Sequence, residues 1–513
     1  MSHIARSTLI IAVFFGLEKI LGFVRQVIIA RTFGLSAELD AFNAANNIPD
    51  LLFALISSGA LAIAFIPVLS EYMEKRGRKA AWNLFSRIAN LLFLVTAVIS
   101  VVIALLANQL VGWGLGIAPG FDAAQQSLVA ELMRLNLIAT LFFSLAGLVI
   151  GGLQANQHFL LPALAPSMYD VGTLFGVLIL VPKTGYQLGP ITLPAFGMGI
   201  HGLVYGVILG AFLFFVVQIP GLLHYKFRWI PAINLRHPGV RQVINLIGPR
   251  ILTVFFTQLV FLAQDNLASR LIAGSVTALV YGWLIMQVPE SLIGTAIGTA
   301  LLPTISEQIA REDRSAFHRS INKTLRVILA LTIPSTTLLA VTITPVVKLL
   351  GFDNPGTELV VWTARAYLLG LAGHALLEVA ARAYYAQQDA RTPLLTKALT
   401  AVLFIALGIL FAPRFGAPGI GLANSLAFTG EAFLLLILLN RSYPELLRVR
   451  STLLRVGLAT IGSTGGVYFL LQWLPVGNTS PLIAVLVAGG GLTLGAVVLL
   501  PFIWSELRIL VRL

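Results

Sequence analysis

The sequence predicts an all-α integral membrane protein of about fourteen transmembrane helices, with two parallel six-helix lobes around a central cavity and two C-terminal helices. Three observations predict it. Of 513 residues, 58% are hydrophobic and only 11% are charged, where a soluble domain carries about 25% charge. The apolar residues come in runs of roughly 20 to 25, the length that crosses a hydrocarbon core of about 30 Å. The bases alternate by loop, which sets orientation. No strand-like alternation supports a barrel.

The expected spans are 7–33, 41–72, 83–110, 128–152, 159–182, 195–221, 243–270, 276–306, 324–350, 359–385, 394–412, 418–440, 452–474 and 481–504. The first, within MSHIARSTLIIAVFFGLEKI and beyond, has the basic-then-apolar start of a signal peptide. Its apolar run continues too far and lacks a small-x-small cleavage site, so it reads as a span. Span two holds Asn43, Asn46, Asn47, Pro49 and Asp50, then Ser57-Ser58-Gly59, and span eight holds Pro289, Gly294 and Gly298. Broken helix at membrane depth lines a water-filled cavity, or else marks an ordinary proline kink. Lys75, Arg76, Arg78 and Lys79 follow span two; Lys226, Arg228, Arg236 and Arg241 follow span six; Arg311, Arg314, Arg319 and Lys323 follow span eight. Arg391 precedes span eleven, Arg441, Arg448 and Arg450 follow span twelve, and Arg508 and Arg512 follow span fourteen. The loops GLGIAPGFDAAQQ and PVGNTSP have no bases. Both termini are therefore expected in the cytoplasm. The same loops account for the net charge of +13, so nucleic acid is not an expected partner.

Short motifs recur in order. Pro67-Val-Leu-Ser-Glu71 returns as Pro303-Thr-Ile-Ser-Glu307, and Pro49-Asp50 as Pro289-Glu290. Gln154-Ala-Asn-Gln157 with Pro162 resembles Gln387-Gln-Asp389 with Pro393, and Pro194-Ala-Phe-Gly197 resembles Pro413-Arg-Phe-Gly416. Six spans separate the copies, so both point the same way: a parallel repeat, as in several transporter classes. The expected division is an N-lobe over 1–225, a C-lobe over 226–445 and a helix pair over 446–513. A transporter fits this better than a channel or a structural bundle.

Charges inside spans are costly, roughly 2.5–3.5 kcal/mol each at the bilayer centre, and usually face a cavity or a partner. Glu18 and Arg25 are two turns apart on one stripe of span one, with Gly22 between them; Lys19 lies on the next stripe, and Arg31 snorkels. Span seven carries Arg250, Gln258, Gln264, Asp265 and Asn266. Asp265 either supplies oxygen ligands to a coupling cation or accepts a proton, or else pairs with Arg270. His374, Glu378 and Arg382 form one row on span ten. That row reads as a polar network, because no H-E-x-x-H pattern or second histidine supports a metal. Asp170, His201 and Glu431 are solitary, and Glu131 with Arg134 reads as an interfacial pair. A cavity lined by Lys19, Arg25 and Arg250 would be net positive, favouring a phosphate or pyrophosphate. There is no G-x-S-x-G and no Walker A loop. Enzymatic activity, ATP-driven transport by this chain alone and a bound cofactor or metal are not expected. The absence of cysteine excludes disulfides.

Several stretches carry a family likeness: Leu21-Gly22-Phe23-Val24-Arg25, Asp40-Ala41-Phe42, Ile48-Pro49-Asp50-Leu51-Leu52, the run Ala64 to Tyr72, Gly298 to Pro303, and Tyr385 to Pro393. On these the chain resembles the MurJ (MviN) family of the multidrug/oligosaccharidyl-lipid/polysaccharide exporter superfamily. The resemblance implies a flippase for lipid II, the undecaprenyl-pyrophosphate-linked peptidoglycan precursor, in the bacterial inner membrane. It implies that Lys19 and Arg25 hold the pyrophosphate, and that Asp40 matches the family's acid of span two. The chain also departs from the pattern. Phe53 and Ala54 stand where the family usually has an arginine pair, and Ser58 replaces an acid. Trp283 and Leu284 replace an acid–arginine pair, Gln287 replaces a further acid, and Glu378 stands where a base is common. Three explanations are open: Arg250 compensates, the substrate is another polyprenyl-linked glycan, or the chain is a non-transporting scaffold that binds cell-wall synthesis enzymes. The expected substrate site comprises Lys19, Arg25, Asp40, Arg250, Glu18 and Glu378, with Asp265 as the coupling-ion residue.

Overall fold

The structure, a computed structural model, describes residues 3–56, 59–444, 446–473 and 481–510. The chain forms two compact units, Met1–Asn266 and Leu267–Leu513. The first contains α1 (His3–Phe33), α2 (Ala37–Ile56), α3 (Gly59–Leu105), α4 (Ala107–Gly112), α5 (Ala123–Ala155) and α6 (Leu160–Phe175). A π-helical turn, Gly176–Leu180, extends α6. A small antiparallel hairpin, β1 (Gln187–Leu188) and β2 (Ile191–Thr192), leads to α7 (Ile200–Val216), α8 (Ile219–His224) and α9 (Pro238–Ala268).

The second unit holds α10 (Ser275–Glu290), a π-helical turn Ser291–Thr295, and α11 (Ala296–Ala310). After these come α12 (Arg314–Leu349), α13 (Asn354–Leu368), α14 (Leu371–Ala386), α15 (Arg391–Phe415), α16 (Ala417–Ser442), α17 (Arg450–Trp473) and α18 (Pro481–Leu510). Among the described residues, twelve helices are long and apolar enough to cross a membrane. The helix α3 is two helices merged across a kink at Gly77, whose φ of 80° needs glycine. Counting its halves separately and adding the 31-residue α1 restores the expected fourteen.

Local chemistry explains where helices start. Asp122 Oδ1 accepts the Gln125 amide at 2.8 Å ahead of α5, and Asp313 Oδ1 accepts that of Ala316 at 2.8 Å ahead of α12. Each satisfies a donor that a helix N-terminus leaves open. The expected break in span eight is a π-helical turn after Pro289. In span two, α2 runs as continuous helix through Asn43, Pro49 and Asp50, and Ser57 and Ser58 lie outside the described residues.

The backbone repeats what the motifs suggested. Left-handed Gly34 (φ 61°) and Gly274 (φ 88°) precede the helices that carry Pro49 and Pro289, at the same spacing as those prolines. Gln157 (φ 58°) and Gln388 (φ 59°) turn the chain at the spacing of Pro162 and Pro393. Gly199 (φ 57°, ψ −138°) caps α7, and Gly416 (φ 64°, ψ −145°) caps α16. The cap partner of Gly416 is thus Gly199, two residues beyond the Gly197 that the motif paired with it. Glu71–Lys75 at 2.8 Å and Glu307–Arg311 at 2.5 Å form the same exposed i,i+4 pair at the two copies of the Pro-x-x-Ser-Glu motif.

Close packing of small residues positions the site-bearing helices. A Cβ on Gly172 of α6 would overlap the backbone of Gly210 on α7, and one on Gly176 would come 2.6 Å from Gly206 Cα. In the second unit, a Cβ on Gly370, which caps α14, would come 2.7 Å from Ser425 Cα on α16. Small residues let transmembrane backbones approach where apolar side chains gain nothing over lipid.

Candidate functional site

In the first unit a cavity of about 340 Å3 opens between α1, α2, α5, α6 and α7. Its lining includes Glu18, Arg25, Asn46, Asp50, Phe53 and Asp170. The Gly172–Gly210 contact fixes α6 so that Asp170 faces α1. Arg25 Nη1 lies 2.7 Å from Asp170 Oδ1, and its guanidinium sits over the Tyr169 ring, 5.1 Å from the centroid. The Arg25 and Asp170 side chains are 18% and 3% exposed. Among the described residues, Asp170 Oδ2 has no hydrogen-bond partner. Asp50 is exposed into the same space. Beside the Tyr169 phenol, the titratable side chains lining this cavity are three carboxylates and one guanidinium.

Lys19 lies beside the cavity rather than in its wall. Its Nζ is 3.3 Å from Glu18 Oε2, and its side chain is 64% exposed. Asp40, near the start of α2, is buried. Arg250 belongs to α9, but its side chain lies outside the described residues.

The asparagines of α2 are tethers. Asn46 Oδ1 accepts from Asn136 Nδ2 of α5 at 2.6 Å, while Asn47 Nδ2 donates to Asp265 Oδ2 of α9 at 2.9 Å. Asp265 and its neighbour Gln264 are both buried. Among the described residues no three or more His, Cys, Asp or Glu side chains group as metal ligands.

The second unit arranges its charges differently. Glu378 pairs with Arg382 one turn on, and Arg382 Nη2 reaches Thr299 Oγ1 of α11 at 3.2 Å. His374 does not share that network. Its Nε2 is 3.0 Å from Asn424 Oδ1, its ring stacks on Phe428 at 4.5 Å, and Trp283 packs edge-on at 5.5 Å. The expected single row on span ten therefore splits in two, because its members meet different neighbouring helices. Glu431 Oε2 pairs with Lys397 Nζ at 2.8 Å, and both side chains are largely buried, at 1% and 12% exposure.

Four further sequence expectations change. Asp170 and Glu431 are partners of Arg25 and Lys397, not solitary. His201 Nε2 lies 3.2 Å from Glu131 Oε1. Arg134 does not pair with Glu131: it donates to Ala104 O at 2.9 Å and Asn108 Oδ1 at 3.2 Å. All join residues far apart in the chain or on different helices, which helical periodicity cannot reveal. The sequence signal available for Asp170 was only its presence as an acid inside an apolar span.

Comparison with known proteins gives this geometry a family. The family model described as "MurJ: Lipid II flippase MurJ" matches residues 29–487. The curated "Lipid II flippase MurJ" of Burkholderia cenocepacia is 31% identical over 453 residues, covering 86% of this chain and 84% of that protein. Among solved structures, "Lipid II flippase MurJ, inward closed conformation" superposes with a TM-score of 0.78 at 22% identity, covering 98% of this chain and all of that one. An inward-facing multidrug resistance MATE transporter of the MOP superfamily superposes with a TM-score of 0.67 at 13% identity, covering 85% and 95%. These structural likenesses establish the fold, and the family match carries the assignment: the chain belongs to the MurJ family.

Proposed function

We propose that this protein is a multi-pass flippase of the bacterial inner membrane that carries lipid II across the bilayer by alternating access. Its two six-span repeats, 1–225 and 226–445, do the moving; the helix pair 446–513 accompanies them, and both termini are cytoplasmic. The observation that carries this reading is a family member with an arginine held at the wall of a polar intramembrane cavity. A guanidinium offers five donors in a fork that fits phosphate oxygens. Arg25 holds the diphosphate of the substrate, and Lys19 and Arg250 add positive charge. Asp40, Glu18 and Glu378 set the counter-charge, and Asp265 senses a coupling ion. The chemistry is transport with no bond made or broken.

The test is rescue of bacteria depleted of their own MurJ. Growth restored by this chain, and lost with Arg25→Ala at equal membrane abundance, supports the reading. Failure of the wild-type chain despite verified membrane insertion contradicts lipid II as substrate.

One observation favours a second reading, a flippase for another polyprenyl-linked glycan. Phe53 replaces a family arginine and lines the cavity, packed on Phe143 at 5.2 Å. Trp283 replaces a family acid and packs on Tyr367 and His374. Aromatic faces suit sugar rings, and the substituted positions are filled rather than empty. A scaffold that binds cell-wall synthesis enzymes without transport predicts, in contrast, no effect of Arg25→Ala.

A further inference from the structure

The Arg25–Asp170 pair is built unlike the buried acid–base cluster at Glu506. Glu506 uses both oxygens: Arg326, Arg455 and Thr452 reach Oε1, while Arg455 and Ser505 reach Oε2. Asp170 uses one oxygen on Arg25 and, among the described residues, leaves Oδ2 without a hydrogen-bond partner, although the side chain is 3% exposed. A buried polar atom left in that state pays its desolvation uncompensated, the more so when charged. A pair serving only to hold α1 against α6 would gain by satisfying it. The pair also lines a cavity whose other carboxylates are Glu18 on α1 and Asp50 on α2. An Asp170 that lost Arg25 would face like charge, which favours its recapture of the guanidinium.

We propose that Asp170 is an internal competitor for Arg25: it occupies the guanidinium when the cavity is empty, yields it to the substrate's diphosphate, and takes it back to drive release. Asp170 is thus a positioning residue that acts through Arg25. The proposal rests on the flippase reading and adds a specific split between affinity and turnover. Part of the Arg25 population is always held by Asp170, so apparent affinity is lower than intrinsic affinity by the fraction free. Without the competitor, the diphosphate binds tighter and leaves more slowly.

The test uses the full chain in nanodiscs, with undecaprenyl diphosphate as the binding probe, and in proteoliposomes, with fluorescent lipid II as the transport probe. Asp170→Asn keeps the shape and removes the charge. It is expected to tighten binding about tenfold, as when a competent state of about one in ten becomes dominant, and to slow transport at least severalfold. Asp170→Glu, which restores a carboxylate, is expected to recover transport toward wild type. If Asp170→Asn does not fold, Asp170→Ser carries the same prediction. Weaker or unchanged binding in the neutral variants of an active wild-type chain overturns the competitor while leaving the flippase intact. A wild-type chain that neither binds nor moves either probe overturns both.

Discussion

The two units each bury an acid–base pair in apolar helices, and the pairs differ in what surrounds them. Lys397–Glu431 sits in packed core, with the ammonium over the Phe428 ring at 4.7 Å and little exposure on either side. Arg25–Asp170 sits at a cavity wall, with one carboxylate oxygen unused. A pair sealed on all sides cannot exchange partners without exposing a bare charge to hydrocarbon, so it holds helices together. A pair open on one side can exchange a carboxylate for another anion at little cost. On the proposed reading, the working site is marked not by buried charge itself but by incomplete satisfaction beside a cavity.

The largest expected effect tests the sealed pair. Lys397→Met leaves Glu431 buried and alone, which costs about 3–5 kcal/mol. Thermal unfolding in detergent should show a large loss of stability, and the double variant Lys397→Met/Glu431→Leu should recover much of it. Recovery would mean that the pair is structural; loss of transport in a stable double variant would mean that it works too.

Next comes the open pair. Arg25→Ala should reduce transport at least tenfold, since a charge-assisted contact of about 1.5–3 kcal/mol is lost, with a smaller stability loss than Lys397→Met. Arg25→Lys keeps the charge without the fork and should restore only part of the activity. The measurement is lipid II flipping in proteoliposomes beside a melting curve.

The packing beneath each pair comes third. Gly210→Val drives a side chain into the Tyr169 backbone and ring, 2.6 and 2.9 Å from the added Cβ. Overpacking of that kind costs about 1–3 kcal/mol, and it also moves α6, so transport should fall further than stability alone explains. Gly370→Val, pressing on Ser425, should destabilise the second unit by a similar amount without that extra loss.

The matched loops offer a smaller contrast that pH resolves. Gln157 and Gln388 occupy equivalent turns, followed by His158 in one and Asp389 in the other. Burial, helped by the charge of His224, pushes the His158 pKa down. For Asp389, burial pushes upward but is outweighed by the Thr392 hydroxyl, the Thr392 and Arg391 amides and the Arg391 charge, so its pKa also falls. Both folded values lie below the unfolded ones, so each group's contribution is present at higher pH and is lost on acidification. The first loop should loosen as pH drops below the ordinary histidine range, and the second only below the ordinary carboxylate range. Hydrogen exchange across the two loops reads this, and His158→Asn should remove the first step alone. The smallest effect belongs to the exposed repeat pairs: Glu71→Gln and Glu307→Gln should leave melting unchanged, as exposed ion pairs contribute little.

Much of this fold was legible in the sequence because hydrophobic length, prolines and loop charge act locally. The repeated Pro-x-x-Ser-Glu motifs fell at equivalent places of the two halves, and the span-one stripe put Glu18 and Arg25 together at the cavity. What stayed hidden depended on contacts between distant helices. Nothing near Asp170 in the sequence names Arg25, and nothing near Lys397 names Glu431. The asparagines of α2 suggested a broken helix, yet Asn46 and Asn47 serve as ties to α5 and α9. The acidic balance of the cavity was invisible for the same reason, since two of its three carboxylates lie outside the stripe that drew attention to it.

The most direct test of the central claim is the flipping of fluorescent lipid II by the purified chain in proteoliposomes, compared between wild type and Arg25→Ala. The account predicts transport by the wild type and loss of at least nine-tenths of it in a folded Arg25→Ala, in line with one lost charge-assisted contact. Equal transport by the two proteins, or none by a correctly inserted wild type, would contradict it.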